Sequence, residues 1–171
     1  MMRVTKKSCA NNDLLDRLTE ENFRIHRYAT VDDVFAAAPE NAGVLVLSGD
    51  YPSEGTVITE ENIETALEKS LKVFVEYPDQ FGKQRVLAKD TLDLERIVVC
   101  DSLSAVLCPM DLLSFNKCIV NIYEQDAFGD AFNTSIVAAK VAGFDKAEYG
   151  LKDTPTKPVV LSDGMRRSMP S

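Results

Sequence analysis

The sequence has few residues that could form a metal centre. It contains one histidine, His26, and four cysteines: Cys9, Cys100, Cys108 and Cys118. No two cysteines form the CxxC pair that many zinc sites use, so we predict no metal site. Cys100 and Cys118 lie in apolar, strand-like runs, where buried free thiols are common. We therefore expect free thiols there rather than disulfides.

Long apolar runs and an excess of positive charge are also missing. No run approaches the roughly 20 apolar residues that a membrane-spanning helix needs. Lysine and arginine number 19 against 27 acidic residues, which gives a net charge of -8. Such a chain is repelled by nucleic acid and by anionic lipid, so we predict neither nucleic-acid binding nor membrane insertion. Residues 1–12 carry positive charge with no apolar segment behind them, so the chain itself predicts no signal peptide.

The common catalytic and cofactor motifs are absent as well. No serine or cysteine stands in a G-x-S-x-G elbow, and the lone His26, beside Arg24 and Arg27, predicts a surface strand residue. A Cys-His or Ser-His catalytic pair is therefore disfavoured. No G-x-G-x-x-G and no G-x-x-x-x-G-K-[ST] motif follows a strand, so no nucleotide cofactor is predicted. We expect no cofactor of any class.

Helices and strands are predicted to alternate in the first half of the chain. A continuous apolar run at 43–47 indicates a strand buried on both faces. Thr59 is a candidate N-cap for a helix that leads into a strand at 71–77, which makes a βαβ unit. Further segments are a helix at 14–22, a strand at 23–28 and a helix at 32–38.

The second half predicts mostly strands. Segments 96–100 and 117–123 continue the sheet, and residues 103–114 between them form helix or loop because Pro109 interrupts them. Short segments at 136–141, 146–151 and 158–162 indicate antiparallel strands at one side. We therefore predict one α/β domain with an open, largely parallel sheet. Its expected limits are an N-terminal helical segment at 1–22, the domain at 23–162 and a frayed tail at 163–171.

The candidate site follows from where such sheets bind ligands, which is outside the carboxyl ends of the strands. Three acids stand there as candidate catalytic residues: Asp50, Glu76 and Asp101. They could act as general acid and base or bind sugar hydroxyls. The structural alternative is that Asp50 and Asp101 only end strands and cap turns. The candidate ligand-binding residues are Ser48, Gly49, Tyr51, Tyr77 and Ser102. The tyrosines could stack on a sugar ring or belong to the core.

Several strings in the chain carry a resemblance to a known family. They are NAGVLVL at 41–47, VITEE at 57–61, LKVFVEYP at 71–78, VAAKVAGFD at 137–145 and YGL at 149–151. Together they resemble the trehalose-utilisation-protein-like (ThuA-like) branch of the class I glutamine amidotransferase-like fold. More closely, the chain is similar to the amino-terminal domain of large bacterial glycoside-hydrolase-like proteins of the six-hairpin toroid type. The likeness covers about residues 23–162.

The resemblance implies a Rossmann-like (flavodoxin-like) three-layer sandwich, mostly parallel, with antiparallel strands near the C-terminus. In true amidotransferases a cysteine nucleophile occupies the sharp turn after a central strand, where this chain has Glu76-Tyr77-Pro78. Amidotransferase activity is therefore not expected. The chain also ends where the related domain continues with a further strand and helix, which suggests an incomplete module. Related full-length proteins are usually exported.

Three functional hypotheses follow from these observations. The first is a non-catalytic accessory domain of a carbohydrate-active protein, with a neighbouring catalytic domain or protein, or a glycan, as its partner. The second is a stand-alone hydrolase that uses Asp50, Glu76 and Asp101. The third is a small-ligand or protein-interaction module with no link to carbohydrate. Activity of the isolated chain distinguishes the second hypothesis from the first. Sugar binding distinguishes the third hypothesis from the first two.

Overall fold

The computed structural model describes residues 2–5, 13–102, 106–115, 117–124 and 132–163. The chain divides into two compact units, Met1–Val86 and Leu87–Ser171, and the boundary falls inside the range 23–162 predicted as one domain. Across the described residues there are three helices and thirteen strands.

The first unit contains all three described helices and seven of the strands. In chain order the elements are β1 (Met2–Thr5), α1 (Asp13–Glu20), β2 (Ile25–Tyr28), α2 (Val31–Ala37), β3 (Gly43–Val46), β4 (Thr56–Ile58), α3 (Glu60–Glu68), β5 (Lys72–Val75), β6 (Pro78–Phe81) and β7 (Gln84–Arg85). Four of the strands form a parallel sheet in the order β2-β1-β3-β5. A smaller sheet pairs β4 with β6 in parallel and β6 with β7 antiparallel.

Capping side chains fix where two of these helices begin. The Thr30 hydroxyl accepts the Asp33 N–H at 3.1 Å before α2. Thr59 and Asn62 form a reciprocal capping box at α3, in which Thr59 Oγ1 accepts the Asn62 N–H at 3.2 Å and Asn62 Oδ1 accepts the Thr59 N–H at 3.0 Å. The single cap at α2 and the box at α3 both satisfy backbone donors that the helix leaves unpaired. The predicted helices at 14–22, 32–38 and after Thr59 are confirmed.

Apolar side chains cover both faces of the parallel sheet. Val44 and Val46, on one face of β3, are buried with Val34 and Phe35 of α2. Alternate residues point to opposite faces of a strand, so neighbouring positions face the other side. There Val4, Leu15 of α1 and Leu47 form a separate buried cluster. The predicted βαβ unit is confirmed, because β3 and β5 are parallel neighbours joined through α3.

The second unit contains strands and no helix among its described residues. Its elements are β8 (Ala88–Thr91), β9 (Arg96–Val99), β10 (Leu112–Leu113), β11 (Ile119–Ile122), β12 (Phe132–Ala139) and β13 (Thr156–Asp163). One antiparallel sheet has the order β10-β9-β12-β13, and β8 pairs antiparallel with β11. Ile97, Ala138 and Val120 pack between these two sheets, while Val98 and Val137 belong to a second cluster with Ala147.

The predicted fold class is wrong. The described strands form four sheets, of which only the first is wholly parallel, and helices are few among the described residues. The described fold is therefore not a Rossmann-like (flavodoxin-like) three-layer sandwich with one mostly parallel sheet. The physical reason lies in the connections. Parallel neighbours need a crossover of a dozen or more residues, usually a helix. The described part of the second unit has no such helix, and there β9 pairs antiparallel with β10 and β12, while β11 pairs antiparallel with β8.

Local predictions in the second half have mixed outcomes. Strands at 96–100, 117–123 and 158–162 are confirmed as β9, β11 and β13, and β12 covers most of 136–141. The predicted strand at 146–151 is wrong, because this segment forms turns with one isolated bridge from Lys146 to Asp111. The segment predicted as helix or loop holds β10. The predicted tail lies outside the described residues apart from Asp163, which ends β13.

The structure also contains elements that the sequence pattern did not predict. Strand β1 falls in the segment expected to be helical, and β4, β6, β7 and β8 were not predicted. No helix in the described part of the chain is long and apolar enough to cross a membrane.

Candidate functional site

The predicted site residues do not all lie in one unit. Ser48, Gly49, Asp50 and Tyr51 follow β3, and Glu76 and Tyr77 follow β5, so these six lie at the carboxyl edge of the parallel sheet. Asp101 and Ser102 follow β9 in the second unit. Neither unit by itself therefore contains all three candidate carboxylates.

At the edge of the parallel sheet, Glu76 holds the chain that follows β3. Its carboxylate oxygen Oε2 accepts the backbone N–H of Ser48 at 2.9 Å, and its own N–H donates to the Val46 carbonyl at 2.8 Å. Ser48 is only 9% exposed, and its hydroxyl donates to the Glu54 carbonyl at 2.6 Å. Glu76 and Ser48 were predicted to lie close together, and they do.

A second set of hydrogen bonds holds the end of the same loop. The Thr56 hydroxyl donates to the Glu76 carbonyl at 2.9 Å, and the Thr56 N–H donates to the Tyr77 carbonyl at 3.0 Å. The Gly55 N–H donates to Asp79 Oδ2 at 3.0 Å. The loop at 47–56 is thus fixed against residues 76–79 at both of its ends. We call these two segments the edge loops.

Two tyrosines pack across the edge loops. The rings of Tyr51 and Tyr77 lie 4.9 Å apart between centroids and meet edge to face at 78°, a geometry that aromatic pairs favour. Tyr77 has a left-handed backbone with φ of 47°, which is an outlier for a bulky residue that also precedes proline. The Tyr77 ring packs against that of Tyr51, which remains 45% exposed.

The remaining predicted residues are more exposed. Asp50 is exposed and forms an isolated backbone bridge with Glu54, whose N–H donates to the Asp50 carbonyl at 2.9 Å. Asp101 Oδ1 accepts the N–H of Ser102 at 2.7 Å, which is a bond to the next residue of the chain.

Sequence reasoning missed four residues of the edge loops: Glu54, Gly55, Thr56 and Asp79. A Cβ on Gly55 would lie 2.6 Å from the Tyr77 carbonyl oxygen and closer still to the Asp79 carboxyl group. Only glycine fits such a close approach, and an isolated glycine before a strand is the signal that could have indicated it. Nothing in the pattern marked Asp79 as its partner.

A shallow, open cleft of the first unit lies elsewhere, at the N-terminus of α3. It measures about 520 Å³ and is lined by Asp32, Thr59, Glu60, Glu61, Gln80, Gly82, Lys83 and Arg85. None of these belongs to the predicted site. Lys83 Nζ pairs with Glu60 Oε1 at 3.3 Å, and both side chains are well exposed, so the pair contributes little. Mixed charges and an open shape give this cleft no defined chemistry.

A polar cluster in the second unit perturbs two ionisable groups. Lys157 Nζ donates to Asp90 Oδ2 at 2.8 Å and to Glu95 Oε1 at 2.9 Å. The hydrogen bond from Lys157 holds the pKa of Glu95 below its ordinary value, and the bonds to Asp90 and then Glu95 raise the pKa of Lys157. The lysine therefore stays charged, which removes it as a nucleophile. The cluster links β13 to β8 and to the turn before β9.

The described cysteines are free thiols. Cys108 is exposed, while Cys100 and Cys118 are half-buried next to β9 and β11. Burial raises the pKa of the Cys100 thiol, which keeps it protonated and unreactive. Cys9 lies outside the described residues. Among the residues that the structure describes, no group of three or more histidine, cysteine or acidic side chains could hold a metal ion.

Comparison with known proteins gives no identification. No protein-family model matches the chain, and neither the curated proteins nor the solved structures contain a match.

Proposed function

We propose that this chain is a non-catalytic accessory domain of a carbohydrate-active protein and that it positions a catalytic partner or contacts a glycan. The observation that carries the non-catalytic part is the use of the Glu76 carboxylate, which accepts the buried backbone N–H of Ser48. A carboxylate that accepts backbone N–H groups is a structural anchor first, because losing it leaves a buried donor unpaired.

The arrangement of the other acids supports the same proposal. Asp79 bonds to the Gly55 N–H, and Asp101 bonds to the N–H of its own neighbour Ser102. A hydrolase of the two-carboxylate type holds its acid and its base at a fixed separation around one bond of the substrate. Asp50 and Glu76 belong to one unit and Asp101 to the other, so neither unit supplies the predicted trio.

The link to carbohydrate comes from the resemblance of segments such as 41–47 and 137–145 to a domain of glycoside-hydrolase-like proteins. In that setting a non-catalytic domain acts by contact with the domain that performs the chemistry. The resemblance supplies the partner class, and the edge loops supply the argument against catalysis by this chain.

The test is hydrolysis of a panel of glycosides and uronides by the purified chain. Its variant carries Asp50→Asn, Glu76→Gln and Asp101→Asn, since amides keep a hydrogen-bond acceptor at each position and preserve the fold. We expect no turnover and no difference between the two proteins. Hydrolysis by the wild-type chain that the triple variant loses would reject the proposal and restore the stand-alone hydrolase. A variant with Glu64→Gln, an exposed helix position, controls for surface charge.

Thermal unfolding with the same sugars separates the two kinds of partner. A ligand present at 100 times its Kd should stabilise the chain by about 2.7 kcal/mol. Stabilisation would identify a glycan contact. Unchanged unfolding with every sugar would leave a protein partner, with or without a link to carbohydrate.

A further inference from the structure

The parallel sheet of the first unit ends in two edge strands that differ in charge. Strand β2 forms one edge, where Arg27 is exposed and the exposed Arg24 comes just before the strand. Charged side chains on an edge strand oppose its pairing with another chain. Strand β5 forms the other edge, and after Lys72 its residues 73–75 are Val-Phe-Val. These three positions carry neither the charge nor the proline that commonly protects an edge.

Half of the backbone polar groups of β5 point away from the sheet. The Lys72 N–H donates to the Ala42 carbonyl at 2.9 Å, and the Glu76 N–H donates to the Val46 carbonyl at 2.8 Å. Because consecutive residues of a strand direct their N–H and carbonyl groups to opposite sides, residues 73 and 75 direct theirs outward. Among the described strands, β5 has no neighbour other than β3. Its outer side therefore presents two N–H groups and two carbonyl groups.

The side chain at the middle of this edge is large, apolar and exposed. Phe74 is 45% exposed and lies beside the half-buried Leu45 of β3. On the same face, a Cβ on Gly43 would meet no atom within 4 Å. The described residues therefore leave this part of the face open next to the edge. Covering it would bury apolar surface and pair the backbone in one step.

The outer side of β5 is complementary to itself. When two copies of residues 72–76 run antiparallel about a two-fold axis at Phe74, Val73 of each copy lies opposite Val75 of the other. These are hydrogen-bonded pairs, so every outward N–H and carbonyl group of both copies finds a partner. Phe74 then lies opposite Phe74 of the other copy in a non-hydrogen-bonded pair. Side chains approach most closely at such pairs, and aromatic pairs there are stabilising.

The charges at the two ends of the segment select the same partner. In the antiparallel register Lys72 of one copy faces Glu76 of the other, and the two-fold axis makes this pair occur twice. Opposite charges directly across a strand pair are stabilising, whereas parallel pairing in register would set like charges side by side. The left-handed backbone at Tyr77, with φ of 47°, ends the edge after Glu76. The segment 72–76 thus matches a second copy of itself over its whole length.

We infer that β5 is a self-association edge, through which two copies of this chain pair antiparallel and join their four-stranded parallel sheets into one sheet of eight strands. The charged β2 strands then form both outer edges of the joined sheet. Pairing over five positions makes a small interface, so the dimer belongs to the weak, concentration-dependent class. The inference goes beyond the proposed function, because a second copy is neither a glycan nor a catalytic partner.

Sedimentation equilibrium of the purified chain, from micromolar to near-millimolar concentration, tests this pairing. We expect the mean mass to rise from 18.9 kDa toward twice that value. Phe74→Lys puts a charge at the centre of the edge and should raise the dimer Kd by about tenfold or more. Phe23→Lys is the matched control, since Phe23 is 52% exposed just before β2 on the opposite side of the sheet. It should leave Kd within about twofold of the wild-type value.

Two further variants test the register. Lys72 is exposed, so Lys72→Glu preserves the fold while it places carboxylates opposite one another, and it should raise Kd by about threefold or more. At a non-hydrogen-bonded pair the Cα atoms lie about 4.5 Å apart, within the range of a disulfide. Mild oxidation of Phe74→Cys should therefore link position 74 to itself, whereas Phe23→Cys should not form such a link. Peptide mapping separates this bond from any bond made by the exposed native thiol of Cys108.

A wild-type chain that keeps a mass of 18.9 kDa at every concentration would overturn the inference. Assembly beyond a dimer would do the same, because pairing about a two-fold axis closes. A dimer that Phe74→Lys and Lys72→Glu leave intact would show that another surface holds it. If circular dichroism shows that Phe74→Lys does not fold, Lys72→Glu and the disulfide at position 74 decide. The non-catalytic proposal is rejected separately, by glycoside hydrolysis that the triple carboxylate variant loses.

Discussion

The close approach at Gly55 gives the sharpest stability prediction. A Cβ added there lies 2.6 Å from the Tyr77 carbonyl oxygen, and this backbone atom is held in turn by the Thr56 N–H. The Gly55→Ala variant must therefore displace the edge loops and stretch the bond between Gly55 and Asp79. Overpacking of this kind costs about 1–3 kcal/mol of unfolding free energy.

Gly43 provides the matched control. It lies in β3 of the same unit, and a Cβ there would meet no atom within 4 Å. Gly43→Ala should leave stability unchanged or raise it by about 0.4–1 kcal/mol, because alanine restricts the unfolded chain. Since neither glycine has a left-handed φ, the comparison isolates the steric contact.

Urea denaturation followed by circular dichroism measures both variants. With a slope of about 2 kcal/mol/M, Gly55→Ala should lower the midpoint by about 0.5–1.5 M. The sequence has no tryptophan, so the near-ultraviolet spectrum reports mainly on tyrosines, and the packed pair Tyr51 and Tyr77 should lose signal in this variant. Equal midpoints for the two alanine variants would refute the packing argument.

Two further predictions concern pH and helix capping. The lowered pKa of Glu95 should stabilise the fold above the ordinary glutamate value of about 4.3, and this stability should disappear as pH falls through the lowered pKa. The raised pKa of Lys157 should stabilise the fold below about 10.4, and that stability should be lost as pH rises through the raised value. Thr59→Ala removes the capping box of α3 and should cost about 0.5–2 kcal/mol.

Urea midpoints measured across the acid and alkaline ranges test the first of these. Glu95→Gln should flatten the acid loss relative to wild type, whereas the exposed Glu64→Gln should not; identical acid profiles for Glu95→Gln and wild type would contradict the assignment. For the cap, Glu64→Ala is the control within the same helix. A midpoint for Thr59→Ala equal to that of the control would show that the box contributes nothing measurable.

Local structure in the first unit was predictable because its signals are local. A threonine before acidic residues marks the start of both α2 and α3, and the uninterrupted run at 43–47 marks a buried strand. Strand β1 escaped prediction because four residues with mixed polarity carry no periodic signal. Its place in the sheet is set by pairing with β2 and β3, which are distant in the sequence.

Sheet topology was not predictable in the same way. Strands β9 and β11 have the composition of buried strands, but composition does not show whether a strand pairs parallel or antiparallel with its neighbour. The register that decides it joins Val98 to Leu112 and Val137, and Val120 to Asp90. These pairs link segments up to tens of residues apart, so the antiparallel arrangement became visible only in the structure.

The candidate site was predicted only in part, because its position depends on which strands are neighbours in the sheet. Ser48 and Glu76 end neighbouring parallel strands, and the rule that such ends meet at one edge placed them together correctly. Asp101 was placed with them on the expectation of one continuous sheet. That expectation failed with the topology, and Asp101 follows a strand of the other unit.

The position of β1 has a practical consequence for handling this protein. Residues 2–5 form an interior strand, with β2 on one side and β3 on the other. Trimming an edge strand leaves the rest of a sheet paired, whereas removing these four residues would leave β2 and β3 without their shared neighbour. A purification tag is therefore better placed at the carboxyl terminus, and an amino-terminal fusion needs a flexible spacer before Met2.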